Sequence, residues 1–150
     1  MKQIKDTHDM RIAIVESTFQ KIVTDSLEKN CIKTLIEKGI QEENIKVVRV
    51  PGSLEIPLAV KKLAKQKLFD AIIALGAIHK GKTYHFEQIA NECVRGCMDA
   101  SWEYEVPVIY EVLAVYDLQD AIDRATGEKE NKGVEAAVTA LEMVGVMNSI

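Results

Sequence analysis

The chain has 150 residues, a formal charge of −4, nearly half apolar side chains and only three prolines. That is enough to bury one proper core and short for two, so one domain over residues 1–150 is expected. Lysines scattered among glutamates make no basic stripe, which argues against nucleic-acid binding. The opening "MKQIKDTHDM" carries charges where a secretory leader needs an apolar core, and no apolar run approaches a membrane span. A cytoplasmic protein without membrane contact is expected. Cys31, Cys93 and Cys97 are an odd set, so no disulfide framework is expected. The i, i+4 pair Cys93 and Cys97 has no second pair of metal ligands elsewhere and reads as small buried hydrophobes.

The first apolar run, "RIAIV" (11 to 15), is rich in β-branched residues and predicts a buried parallel strand. A helix from about Ile22 to Lys38 follows and stops at Gly39. "IKVVRV" (45 to 50) predicts the second strand, and "SLEIPLAVKKLAKQ" a helix whose Pro57 falls in its opening turns, where a missing N–H does little harm. "AIIAL" (71 to 75), a helix from His85 to about Tyr104, and "VPVIYEVLAV" (106 to 115) continue the alternation. "DLQDAIDRA", with Asp117 as a helix N-cap, and "GVEAAVTALEMVGVMNS" supply the last helices. Strict alternation implies right-handed crossovers and an α/β fold. A three-layer α/β/α sandwich is predicted, with a mainly parallel four-stranded central sheet of the flavodoxin-like kind.

In such sheets ligands collect beyond the carboxyl ends of the strands. The loops at 16 to 20, 51 to 55, 76 to 84 and 110 to 117 are therefore expected to converge. Phe19 is the one aromatic in the first loop and can serve as a stacking platform or as a cap over the next helix. In the second, Gly52 permits a close approach, and Ser53, Leu54 and Glu55 open a helix whose free N–H groups face the same space. Glu55 can equally be a first-turn carboxylate favouring the helix dipole.

The third loop spells G-x-x-x-x-G-K-[ST] with Gly76, Gly81, Lys82 and Thr83, the pattern of a nucleotide P-loop. Gly81, Lys82 and Thr83 ahead of a helix predict an anion nest, which suits any phosphate. His85, on the first helical turn beside it, is the candidate acid–base group, and His79 lines the wall. A triphosphatase also needs a magnesium-binding carboxylate at a second strand end, and Asp117, already read as an N-cap, is the sole candidate.

Taken together, "STF", "VPGSLEIPLAVKKLA", "ALGAIHKGKTYHFE" and "DAIDRATGEKENKG" followed by "EAAVTALEM" resemble, in order and spacing, the lumazine synthase family. The resemblance runs from about Arg11 to Val146. It implies condensation of 5-amino-6-(D-ribitylamino)uracil with 3,4-dihydroxy-2-butanone 4-phosphate to 6,7-dimethyl-8-ribityllumazine, the penultimate step of riboflavin biosynthesis, with no cofactor or metal. It further implies that Phe19 stacks on the pyrimidine, that Ser53, Leu54 and Glu55 contact that ring and the ribityl chain, and that Ala77, Ile78 and His79 form the next wall. Lys82, Thr83 and Arg124 would hold the butanone phosphate, and His85 would transfer protons. Tyr110, Arg124 and Lys132 would serve the pocket of an adjacent subunit, in a homopentamer that many members build into a hollow shell of twelve pentamers.

The chain departs from the family pattern at Leu54, where an aromatic is common, at His79 and Lys80 in place of an Ile-Arg pair, at Lys82 in place of a small or acidic residue, and at Glu111 in place of Gly. Two other readings stay open beside the synthase: a P-loop nucleotide binder and a non-catalytic relative that binds ribityl or flavin ligands.

Overall fold

The computed structural model describes residues 5–150. Strands β1 (Ile12–Ser17), β2 (Ile45–Val50), β3 (Ala71–His79) and β4 (Val108–Val115) alternate with helices α1 (Lys21–Glu37), α2 (Ile56–Lys65), α3 (His85–Tyr104), α4 (Leu118–Thr126) and α5 (Lys132–Ser149). The strands form one parallel sheet in the order β2-β1-β3-β4. Every residue of β1 is buried, as are Ala71 to Ile78 of β3. That burial on both faces is why the two central strands read as unbroken apolar runs. The edge strands β2 and β4 keep partly exposed positions such as Arg49 and Ala114.

One core cluster joins Ile12, Ile14, Ile73, Leu75 and Leu113 to α1, α4 and α5 through Leu27, Ala121, Ala125 and Ala140. The other joins Ala13, Val15, Ile72, Ala74 and Val112 to α2 and α3 through Ile56, Val60, Cys93 and Cys97. The fold is therefore the three-layer α/β/α sandwich of flavodoxin-like proteins. Cys93 and Cys97 are buried free thiols, as expected.

The caps follow the sequence. Gly39 takes φ +103°, and the N–H groups of Gly39 and Ile40 bond back to the carbonyls of Ile36 and Leu35, closing α1. Asp117 caps α4 by accepting from the N–H of Gln119. Asn131 caps α5 in the same way through Gly133 and Val134.

Four expected boundaries are corrected. Glu16 and Ser17 belong to β1, and Tyr110 to Val115 lie inside β4, so the first and last loops are shorter than expected. Gly76, Ala77, Ile78 and His79 lie inside β3 and pair with Val112 to Val115, and only residues 80 to 84 connect β3 to α3. The longer strand wins because each of its residues gains a ladder partner on β4. "SLE" at Ser53–Glu55 is a separate 3-10 turn leading into α2.

Candidate functional site

The carboxyl ends of β1, β2 and β3 open on a cleft of about 400 Å³, lined by Phe19, residues 51 to 55, Ala77, Ile78, His79, Gly81, Thr83, His85, Phe86 and Ile89. That volume suits a small organic ligand. Phe19 follows the end of β1 with 59 % of its surface exposed, so it caps no core and presents its ring to the cleft. Pairing fixes its approach: the Thr18 N–H bonds to the Val50 carbonyl at 2.8 Å and holds the β1 exit against the start of the next wall. In that wall Ser53 is buried, while Leu54 and Glu55 are exposed. Ala77 and Ile78 stand on alternate faces of β3 at its end, where the strand outlasts β1 and gives the cleft a rigid floor.

Helix α3 points its first turn at this space. Tyr84, its N-cap, has helical φ and ψ and no capping side chain, so the leading N–H groups keep their partners open. That end attracts an anion through its dipole. The nest predicted at Gly81 is not formed: no residue from 80 to 84 takes a positive φ, and the alternating handedness a nest needs is missing. The first P-loop glycine is also misplaced, because Gly76 is a strand residue facing Ser17 and Ser53 and not the start of a loop. Anion attraction at this corner rests on the helix end, on Thr83 and on nearby cations.

Thr83 and His85 line the cleft; Lys82 is exposed and does not. Lys80 bonds through its backbone N–H to the Val115 carbonyl, and its ammonium lies 3.7 Å from Glu87 and 5.2 Å from the centre of the Tyr116 ring. Tyr116 in turn sits 6.0 Å from Phe86, giving the cleft rim an aromatic and cationic edge.

The other sequence candidates lie elsewhere in the chain. Tyr110 is half-buried on β4 and packs on the core beneath α3, where burial and the neighbouring Cys93 push its phenol well above its ordinary range. Arg124, in the last turn of α4, donates to the Asp120 carbonyl at 2.9 Å. Lys132 opens α5, and its hydrogen bond to Glu135 at 2.8 Å raises its pKa. Beside it, Glu111 is pushed up to about 7 by burial and by the Glu135 charge, with Lys132 opposing. Helices α4 and α5 cover the sheet face opposite α2 and α3, so one chain does not bring Arg124 and Lys132 to its own cleft.

Phe86 and Ile89 are cleft residues that sequence reasoning did not single out. Their signal is helical: 86, 89 and 93 form one stripe that begins at the cleft and runs into the core at Cys93. Pro51 also contributes to the wall, and it sits in the quoted motif without a chemical role of its own. Among the described residues no group of three or more His, Cys, Asp or Glu is placed to hold a metal ion, and no helix is long and apolar enough to cross a membrane. Residues 9–148 match the family model described as 6,7-dimethyl-8-ribityllumazine synthase.

Proposed function

The chain belongs to the 6,7-dimethyl-8-ribityllumazine synthase family, whose members are transferases of riboflavin biosynthesis, and we propose that it condenses 5-amino-6-(D-ribitylamino)uracil with 3,4-dihydroxy-2-butanone 4-phosphate. The observation that carries this reading is the gathering of Phe19, Ser53, Leu54, Glu55, Ala77, Ile78, His79, Thr83 and His85 around one cleft at the carboxyl edge of the sheet. A flat heterocycle fits between the Phe19 ring and the Ala77 to His79 wall. Its ribityl chain would run along Ser53 to Glu55. The phosphate of the second substrate would lie at the uncapped start of α3, beside Thr83 and within reach of the flexible Lys82.

The reaction is a sequence of proton movements. The pyrimidine amine attacks the ketone carbon, and the resulting carbinolamine loses water to give an imine. Removal of a carbon-bound proton expels phosphate with its bonding pair. The enol left by this elimination takes up a proton at its terminal carbon and becomes a ketone, on which the remaining amine closes, and water leaves again. His85, which starts α3 and lines the cleft, would take up and return these protons. Holding the phosphate against the helix end stabilises the leaving charge, and co-binding of two substrates removes the entropy of their encounter.

Arg124 and Lys132 lie across the sheet from their own cleft, which favours their delivery from a second copy of the chain. A head-to-tail arrangement of that kind closes into a ring, and a pentamer is the proposed assembly. Incubating the purified protein with both substrates should generate the fluorescence of 6,7-dimethyl-8-ribityllumazine and equimolar phosphate, with neither signal when one substrate is omitted. Tight lumazine binding without turnover would replace this reading with a non-catalytic binder. Magnesium-dependent ATP hydrolysis lost in Lys82→Ala would replace it with the nucleotide reading.

A further inference from the structure

Glu87 is the third residue of α3, the position from which a glutamate usually reaches back to cap the backbone N–H at the helix start. Here it is turned towards Lys80 instead. Its Oε1 lies 3.7 Å from the Lys80 ammonium, and its Oε2 is buried without a hydrogen-bond partner. Lys80 is steered to that place by its own contacts. Its backbone N–H bonds to the Val115 carbonyl at 2.9 Å, which pins the connector after β3 to the end of β4. Its ammonium lies 5.2 Å from the centre of the Tyr116 ring, and Tyr116 rests against Phe86, which lines the cleft.

Stability does not explain the arrangement. The two side chains keep 45 % and 34 % of their surface exposed, and an ion pair that wet contributes little. Its consequence lies at the helix end. A free carboxylate on the first turn is the chain's own anion, and it competes with a phosphate for the open N–H groups and the positive end of the α3 dipole. Paired with Lys80, that carboxylate is neutralised and drawn off. The ammonium is engaged in turn by a carboxylate and an aromatic face, which leaves Lys82 as the connector's cation for the phosphate.

We propose that Lys80 is a positioning residue for the phosphate corner: with the Tyr116 ring it holds Glu87 away from the start of α3 and so keeps the leading N–H groups open for the phosphate of the second substrate. The inference rests on the synthase reading for the identity of that substrate, whereas the clamp acts on inorganic phosphate in the same way. Lys80 touches no substrate, and its effect passes through Glu87.

The test measures binding of inorganic phosphate to the assembled protein by phosphorus NMR titration, together with steady-state kinetics, for the wild type, Lys80→Met, Lys80→Arg, Glu87→Ala and the variant carrying both Lys80→Met and Glu87→Ala. Lys80→Met keeps the stem and the backbone bond to Val115 but releases the carboxylate. It should weaken phosphate binding and raise KM for the butanone phosphate about three- to tenfold, with KM for the pyrimidine unchanged. Lys80→Arg, which can pair with Glu87 and stack on Tyr116 in the same way, should stay within about twofold of the wild type. In the Glu87→Ala background the Lys80→Met change should cost less than about twofold, because the competing anion is gone. An equal loss in both backgrounds would overturn the proposal, since Lys80 would then act on the phosphate directly. Unchanged phosphate affinity in Lys80→Met, or a wild type that binds no phosphate, would overturn it as well. If the wild type binds phosphate but does not turn the two substrates over, the synthase reading fails instead, and the pattern of phosphate affinities across the variants still decides the clamp.

Discussion

Glu16 is a carboxyl set in the middle of the sheet, 1 % exposed, and the most direct perturbation is Glu16→Gln, which keeps its shape and removes its charge. Burial, and next the neighbouring Glu28, push its pKa from the ordinary 4.5 up to about 8, against the opposing charge of Arg49. Arg49 lies 3.6 Å from the Glu16 carboxylate and 2.5 Å from Glu28, so one exposed guanidinium serves two acids. The folded state therefore binds a proton that the unfolded chain has released at any pH between about 4.5 and about 8. Its stabilising effect is complete below the unfolded value and is lost as pH rises through that window. Each unit inside the window withdraws about 1.4 kcal/mol, so this group removes on the order of 2 to 3 kcal/mol between about pH 5.5 and pH 7.5. Against a total of about 5 to 15 kcal/mol that is a measurable fraction. Urea unfolding followed by far-ultraviolet circular dichroism, at one protein concentration across that range, gives the wild-type and Glu16→Gln curves. Their difference should grow with pH in favour of the variant, and subtraction cancels other titrating groups such as Glu111. A difference that stays flat with pH would show that Glu16 is ionised throughout and that Arg49 outweighs burial.

His85→Ala should lower turnover by about ten- to a thousandfold with little change in substrate affinity, and full activity from about pH 6 to 8 would remove the histidine from the mechanism. Arg124→Ala should raise KM for the butanone phosphate far more than for the pyrimidine, with inorganic phosphate competing against the former alone; equal losses for both substrates point to damage of the fold. When His85→Ala and Arg124→Ala are unfolded together and reassembled, about a quarter of interfaces carry both native residues if mixing is random, and activity should recover to roughly that fraction. Mixed oligomers confirmed by mass measurement but inactive would place both residues in a single-chain site.

The fold was legible because its cues are local. β-branched runs, a glycine at the end of α1 and the Asp117 cap each act within a few residues, and each appears where the sequence put it. The cleft was partly legible for the same reason, since strand ends in a parallel sheet converge on one edge. The extent of β3 was not, because its last residues are strand only through their partners on β4, and the P-loop spelling therefore misled by placing Gly76 in a loop. The Glu16–Arg49 and Ser17–Gly76 juxtapositions are likewise products of register, which no periodicity within one segment records.

Register also ties the two polar features at the end of β1 to each other. Successive strand residues point to opposite faces, so Glu16 faces α1, beside Thr24 and Glu28, while Ser17 packs on Gly76. Ionising Glu16 in a sheet buried on both sides should loosen the strand end beyond which Phe19 is held. An activity that falls as pH rises towards about 8 would then have two distinct origins, the proton chemistry of the reaction and the loss of a rigid β1 exit. They separate in the Glu16→Gln background. There the strand end no longer titrates, so any alkaline loss that persists belongs to the chemistry. A loss that disappears belongs to the scaffold. The pyrimidine KM should discriminate as well, rising with pH in the wild type through a weakened Phe19 wall and staying level in Glu16→Gln. A wild-type KM that is constant while kcat falls would break the proposed link between the buried carboxyl and the cleft.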